Sequence, residues 1–190
     1  MESLNKIVKK NLVISAQEAL SFLPNRTALQ RLHQSQKINH LGGGFYSSSE
    51  CDELTALLAV VSKYYPHCII SGATALTLYE LSDYCIDLID VDILNTTNLK
   101  NSLLNVHRVA SKKITGVSIK EFKGIKIKIY NLERSLIEAK KLGNVFYFIA
   151  IKRYVKKYRD QINFNKIKRY DRIFKTDIYN SIQQELIEDY

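Results

Sequence analysis

Glycine and proline are scarce in this chain, which has 7 of the first and 2 of the second among 190 residues. Hydrophobic residues make up 46% of the sequence and charged residues 25%, close to the averages of globular proteins. This composition excludes a fibrous chain and argues against a disordered one, since enough apolar surface is present to form a core. The length predicts one or two domains of ordinary size.

Long hydrophobic runs are also missing. The longest apolar stretches, residues 54–61 and 145–151, are far shorter than the roughly 20 residues that a bilayer-spanning helix needs. Residues 1–6 lack the apolar core and the small-residue cleavage site that mark a secretory signal. We therefore expect no membrane partner and a cytoplasmic location.

Patterns that hold metals or build nucleophilic sites are missing as well. The 3 cysteines are too far apart to form a metal knuckle, and none of the 4 histidines has the spacing of a metal-binding helix. No G-x-S-x-G turn is present, and the glycine triplet at residues 42–44 is not followed by the G-K-[ST] of a phosphate loop. The sequence predicts reduced thiols, no cofactor, no metal and no nucleophilic catalysis.

Positive charge is in excess and unevenly placed. Lys and Arg number 28 against 19 Asp and Glu, a net charge of +9. Residues 1–48 carry six basic and two acidic side chains, residues 49–105 two and eight, and residues 106–190 twenty and nine. Two basic ends that flank an acidic middle favour a polyanion as the partner.

The first 48 residues have the pattern of a small helical unit closed by a hairpin. Apolar residues around Val8 recur at helical spacing, and Ser15 with Glu18 forms a capping box for a second helix. After Pro24, residues 26–36 predict a third, polar helix, and the following two short strands surround the glycine triplet.

This order of elements predicts a winged helix-turn-helix domain over residues 1–48, with its third helix in the major groove of double-stranded DNA. Gln and Arg can read base edges there, while Lys and Tyr hold the backbone. The expected groove residues are Arg26, Thr27, Gln30, Arg31 and Gln34, and the expected backbone residues are Lys37 and Tyr46. The alternative is a generic helical domain with a β-turn.

Residues 49–190 predict a mixed α/β domain with a small sheet and a helical C-terminus, joined to the first domain by a polar linker at residues 47–49. The clearest strand is 125–130, where isoleucines alternate with lysines. Further strands are expected at 68–70, 86–94, 106–110 and 117–122, and helices at 50–63, at 72–80 after a Ser71 cap, at 131–142 and through 145–190. The whole chain is therefore expected to be α+β.

A second basic region lies between residues 152 and 175. Ten Lys or Arg occur there against Asp160 and Asp171, and five aromatic residues recur at helical spacing. This pattern favours an aromatic stripe in the core and a cationic outer face. The candidate second basic surface consists of Lys156, Lys157, Lys168 and Arg169, and its alternative is a solvated helix face.

Asp90 and Asp92 form the one pattern that suggests an enzyme. Nucleotidyltransferases place two carboxylates at period two on a strand to hold Mg²⁺, after a glycine-containing turn. Ser71 and Gly72 match that turn in part, but the next strands carry no third carboxylate. We expect no enzyme, and a nucleotidyltransferase that uses Asp90 and Asp92 remains the alternative.

Three segments, residues 41–47, 70–83 and 124–138, together resemble the AbiEi family, the antitoxins of type IV toxin–antitoxin systems that act in abortive infection. The resemblance implies a winged-helix domain followed by an α/β antitoxin domain. It also implies a repressor that binds inverted repeats in its own operator, and an antitoxin that counteracts a nucleotidyltransferase-like toxin in phage defence. The chain departs from the family at residues 135–138 and in having Asp90 and Asp92.

Overall fold

The computed structural model describes Val8 and residues 11–188. The chain is a mixed α+β protein, 49% helix and 21% strand, with small sheets and a helical C-terminus. The first helix predicted around Val8 lies outside the described residues except for Val8 and Asn11. Within the described residues, no helix has the length and apolar character needed to cross a membrane.

Two compact units divide the chain. The first consists of the chain up to His67 with Lys100–Leu104 and Lys120–Ile127, and the second of Cys68–Leu99, Asn105–Ile119 and Lys128 onwards. The first unit thus extends past residue 48, the boundary expected from the sequence.

The described residues of the first unit up to His67 form helices and one antiparallel sheet, which has the order β1-β3-β2. Its elements are β1 (Val13–Ser15), α1 (Ala16–Leu20), α2 (Arg26–Gln34), β2 (Ile38–Gly42), β3 (Phe45–Ser48) and α3 (Glu53–Tyr64). Strand β1 is missed by the sequence analysis because three residues are too few for a period-two pattern.

Side-chain caps explain where the first two helices begin. The Ser15 hydroxyl accepts a hydrogen bond from the Glu18 amide (3.1 Å), and the Glu18 carboxylate accepts one from the Ser15 amide (3.1 Å). Asn25 accepts a bond from the amide of Ala28 at 2.9 Å and starts α2. The predicted capping box and the third helix are confirmed, because both depend on contacts only three residues apart.

The linker predicted at residues 47–49 is wrong. Ser47 and Ser48 are buried residues of β3, where Ser47 pairs with Val13 and Ser48 with Ile38. A polar composition is compatible with a strand when the backbone groups find partners on both sides, as they do in the middle strand of this sheet.

Five strands form the second sheet, in the order β6-β5-β4-β8-β7. They are β4 (Ile69–Ile70), β5 (Ile89–Leu94), β6 (Leu104–Val109), β7 (Val117–Phe122) and β8 (Ile125–Tyr130). The predicted alternation in β8 is confirmed, since Ile125, Ile127 and Ile129 are buried while Lys126 is exposed.

Helices contribute the core cluster around Tyr154 in the second unit. They are α4 (Gly72–Leu78), α5 (Leu132–Lys141), α6 (Asn144–Tyr158), α7 (Phe164–Phe174) and α8 (Ile178–Glu188). Tyr154 and Tyr170 are buried among Leu136, Ile151 and Ile167, which confirms the predicted aromatic core stripe. The lysines of α6 and α7 therefore lie on the outer faces of these helices.

Candidate nucleic-acid interface

Helix α2 has one apolar and one polar face. Leu29 is buried and Leu32 half-buried, and both contribute to the small core of the first unit. The groove residues expected from the sequence are all exposed, namely Arg26, Thr27, Gln30, Arg31 and Gln34. With 3.6 residues per turn, these five side chains lie opposite Leu29 and Leu32.

The polar face of α2 has no internal partners in the part of the chain that the structure describes. None of its five side chains forms an ion pair or a side-chain hydrogen bond with another described residue, and the same is true of Lys37, which is also exposed. Helix α2 contains no acidic residue. The two arginines therefore keep their full hydrogen-bonding capacity for an external acceptor.

The hairpin of β2 and β3 has a well-supported tip. Gly42, Gly43 and Gly44 all have positive φ, which is the conformation that makes glycine necessary in this turn. Asn101 donates hydrogen bonds to the carbonyl of Gly43 (3.2 Å) and to the hydroxyl of Tyr65 (3.0 Å). A Cβ at Gly43 would overlap the Asn101 side chain. Sequence reasoning missed Asn101 because it lies 58 residues away from the hairpin.

Tyr46 is less exposed than its predicted contact with the DNA backbone suggests. Its ring is half-buried against the small core and lies 4.9 Å from the ring of His40. His40 in turn lies 5.9 Å from the ring of His33, whose Nδ1 is 3.3 Å from the carbonyl oxygen of Ile38. This row of rings connects the last turn of α2 with the hairpin, and the sequence analysis did not assign the two histidines to this face.

The second basic surface is partly engaged by other side chains. Lys156, Lys157, Lys168 and Arg169 are all exposed. Lys157 forms an ion pair with Glu80, which raises the pKa of that lysine, and the Lys168 ammonium lies 4.3 Å from the centre of the Tyr179 ring. Lys156 and Arg169 have no ion pair with a described residue.

Asp90 is bound by neighbours in the second unit. Its carboxylate accepts hydrogen bonds from Asn105 at 2.7 Å and from the amide of Thr74 at 3.3 Å, and it lies 3.2 Å from Nε2 of His107. Burial alone would raise the pKa of Asp90, but the bonds from His107, Asn105 and Thr74 outweigh it and lower that pKa. The Asp90 hydrogen bond raises the pKa of His107.

Ser71 is the N-cap residue of α4, as predicted, but its side chain forms no capping hydrogen bond, and the Asp90 carboxylate accepts the bond from the Thr74 amide instead. Gly72 has a φ of +52°, and a Cβ there would lie 2.8 Å from Cγ of Asp90. The Asp90 carboxylate reaches the Thr74 amide past this glycine, while the Ser71 hydroxyl is buried without a hydrogen-bond partner. The missing Cβ of Gly72 therefore leaves the Asp90 carboxylate room to reach the Thr74 amide.

Asp92 also has a hydrogen-bond partner within the second unit. It is 1% exposed, and its carboxylate accepts a hydrogen bond of 2.9 Å from the hydroxyl of Tyr130. Burial and the nearby Asp92 charge both raise the pKa of Tyr130. Across the part of the chain that the structure describes, no three His, Cys, Asp or Glu side chains come together in a group able to hold a metal.

Comparison with known proteins gives a likeness in fold. No family model matches the chain, and no curated protein matches it. The crystal structure of the RV2827C protein from Mycobacterium tuberculosis is similar, with a TM-score of 0.64 and 9% sequence identity, over 96% of this chain and 75% of that chain. At this identity the likeness concerns the fold alone.

Proposed function

We propose that this protein is a DNA-binding transcriptional repressor, with its N-terminal unit acting as a winged helix-turn-helix. The observation that carries the proposal is the polar face of α2, where five exposed side chains, two of them arginines, have no partner among the described residues. An exposed set of this kind without acidic neighbours on its helix is suited to a phosphate-rich partner.

The surrounding elements support the same proposal. A short capped helix precedes α2, and an antiparallel hairpin follows it directly. Helix α2 has nine residues and so a length of about 13 Å at 1.5 Å per residue, which suits the B-DNA major groove. In this arrangement the hairpin of β2 and β3 would be the wing.

Each side chain of the face has a role in this proposal. Arg26 and Arg31 donate to O6 and N7 of guanine, and Gln30 and Gln34 pair with adenine. Lys37 neutralises a backbone phosphate. Tyr46 reaches the backbone only at the edge of its half-buried ring, so its contribution is the smallest of the set.

The wider biological role that we propose is that of an antitoxin. It rests on the resemblance of residues 41–47, 70–83 and 124–138 to the AbiEi family. In this role the chain represses its own operon in the cytoplasm and counteracts a nucleotidyltransferase-like toxin. The internal hydrogen bonds of Asp90 and Asp92 favour this role over the alternative in which the chain itself transfers nucleotides with Mg²⁺.

Binding of the chain to its own promoter fragment tests the repressor. The variant Arg26→Ala/Arg31→Ala should lose at least about 30-fold in affinity, since each base contact is worth about 1–3 kcal/mol. The matched control is Lys126→Ala/Arg108→Ala, which removes two exposed cations far in sequence from α2. Undiminished promoter binding by the first variant would contradict the proposed groove face.

Co-expression tests the antitoxin role separately. The full chain, and the Arg26→Ala/Arg31→Ala variant expressed at the same level, should both restore growth of cells that produce the toxin encoded beside it. Growth restored by neither protein would contradict the antitoxin role and leave the repressor unaffected.

A further inference from the structure

A cavity in the second unit combines three cations with an apolar wall. Its volume is about 460 Å³, and it is lined by Lys112, Lys113, Ile173, Phe174 and Lys175. Small-molecule sites in proteins occupy roughly 300–1,000 Å³. Among the described residues that line it, none is acidic, so the cavity is suited to an anion of nucleotide size.

One wall is a short 3₁₀ turn, Ser111–Lys113, that is held in place by its own backbone and by α7. The Lys113 amide donates to the carbonyl of Ala110 (2.8 Å). A few residues further on, Gly116 approaches α7 so closely that a Cβ there would overlap the hydroxyl of Tyr170. This contact brings Lys112 and Lys113 to the C-terminal end of α7.

The other wall is the end of α7, where Phe174 and Lys175 face the cavity. The guanidinium of Arg134 lies 4.1 Å from the centre of the Phe174 ring and 4.3 Å from that of Tyr130. Arg134 is fully buried, so the Phe174 ring is held from behind. A ring fixed in this way can stack on a flat ligand without losing side-chain freedom.

The ammonium groups of the three lysines are not neutralised by any residue that the structure describes. Lys112, Lys113 and Lys175 form no ion pair with a described residue. Asp171 is near Lys175 in the chain, but its carboxylate accepts hydrogen bonds from the Thr176 hydroxyl and from two amides at the start of α8. The end of a helix favours one cation at Lys175, whereas Lys112 and Lys113 belong to another segment and need a different explanation.

We propose that this cavity binds a nucleoside di- or triphosphate. The phosphate oxygens accept hydrogen bonds from Lys112, Lys113 and Lys175, and the base stacks on Phe174 beside Ile173. Three cations match the charge of two or three phosphate groups, and the apolar wall gives the base a surface that inorganic phosphate would not use. The site shares no residue with α2, and the inference goes beyond the repressor proposed above.

Calorimetric titration of the full-length chain tests the site with three probes: ATP, inorganic pyrophosphate and adenosine. ATP should bind most tightly, pyrophosphate at least fivefold more weakly, and adenosine most weakly of the three. The variant Lys112→Gln/Lys113→Gln should reduce ATP affinity at least about tenfold, the loss typical of one charge-assisted hydrogen bond. Its melting temperature should stay unchanged, because exposed lysines contribute little to stability.

The matched control is Lys152→Gln/Lys156→Gln, which removes the same charge from two exposed positions of α6. Equal losses of ATP affinity in both variants would overturn the proposal, since binding would then follow net charge. Equal affinity for ATP and pyrophosphate would overturn the assignment to a nucleotide. Lack of ATP binding, together with weaker promoter binding by Lys112→Gln/Lys113→Gln, would assign the lysines to DNA instead. The expected result for that variant is unchanged promoter binding together with an ATP affinity reduced at least about tenfold.

Discussion

The α2 face and the basic helices α6 and α7 are both rich in cations, but they differ in how many of these cations have partners within the described chain. Arg26 and Arg31 are exposed and have no ion pair with another described residue. In α6 and α7, by contrast, several cations already have partners within the chain, as in Arg153 with Asp83, Lys157 with Glu80, Lys166 with Glu133 and Lys168 with Tyr179. A count of Lys and Arg therefore overstates how much of the C-terminal charge is available to a polyanion.

Arg134 extends this comparison to the core. Its guanidinium is buried between Tyr130 and Phe174 and forms an ion pair with Glu138. Arginine thus stabilises the fold in α5, whereas in α2 it is exposed and available to the external partner that we propose. The following predictions test that division.

The largest effect is expected for Arg134→Ala. It leaves the buried Glu138 carboxylate with Lys141 as its remaining cation, and breaking a buried pair costs about 3–5 kcal/mol. Urea unfolding should show a free energy of unfolding lowered by about 3 kcal/mol, the lower end of that range, because Lys141 still pairs with Glu138. Arg172→Ala, at an exposed position of α7, should change stability by less than about 0.5 kcal/mol. Similar stability of the two variants would contradict the structural role of Arg134.

The opposite behaviour is expected for Arg31→Ala. Loss of one bidentate base contact should weaken promoter binding by about 1–3 kcal/mol, and stability should change by less than about 0.5 kcal/mol, since the side chain is exposed and unpaired. Fluorescence anisotropy and urea unfolding measure the two quantities. If the loss of stability in Arg31→Ala were large enough to explain its loss of promoter affinity, Arg31 would have a structural role like that of Arg134. The distinction between the two arginines would then be wrong.

A smaller effect separates the four cations of the second basic surface. If these helices contact the same duplex, Lys156→Gln/Arg169→Gln should flatten the plot of log affinity against log salt by up to about 1.8, or about 0.9 per phosphate. Lys157→Gln/Lys168→Gln should leave the slope nearly unchanged, because Glu80 and Tyr179 already engage these two charges. An unchanged slope in both variants would indicate that none of the four cations contacts DNA. DNA binding would then be assigned to the first unit.

The smallest effect concerns His107, whose pKa is raised by the hydrogen bond to Asp90. A raised pKa in the folded state stabilises the protein below the unfolded-state value of 6.5, and the gain disappears as pH rises through the folded-state value. The stability difference between the wild type and His107→Gln should therefore be largest near pH 5.5 and fall towards pH 8. It should remain below about 1 kcal/mol because the histidine is half-exposed. A difference that grows with pH would contradict this pairing.

Local patterns were sufficient for much of the fold. The Ser15 capping box, the third helix and the alternation in β8 all depend on residues within a few positions of one another, and all three are confirmed. The polar face of α2 follows from helical periodicity in the same way. The proposed DNA contacts of that face stay a prediction.

Other features needed the assembled chain. Ser47 and Ser48 form part of a strand because Val13 and Ile38 lie on either side of them, and β1 is too short to be seen alone. Asp90 caps α4 from 16 residues away, and Asn101 holds the hairpin tip from 58 residues away. No pattern within a single element contains these pairings.

The sequence by itself determined which side chains share a face, because helical and strand periods act over a few residues with a fixed backbone geometry. Only the tertiary structure decided which charges remain available. Lys157 finds Glu80 from 77 residues away, whereas Arg26 and Arg31 have no such partner among the described residues. An ion pair depends on distance in space, and folding sets that distance between residues that are remote in the chain.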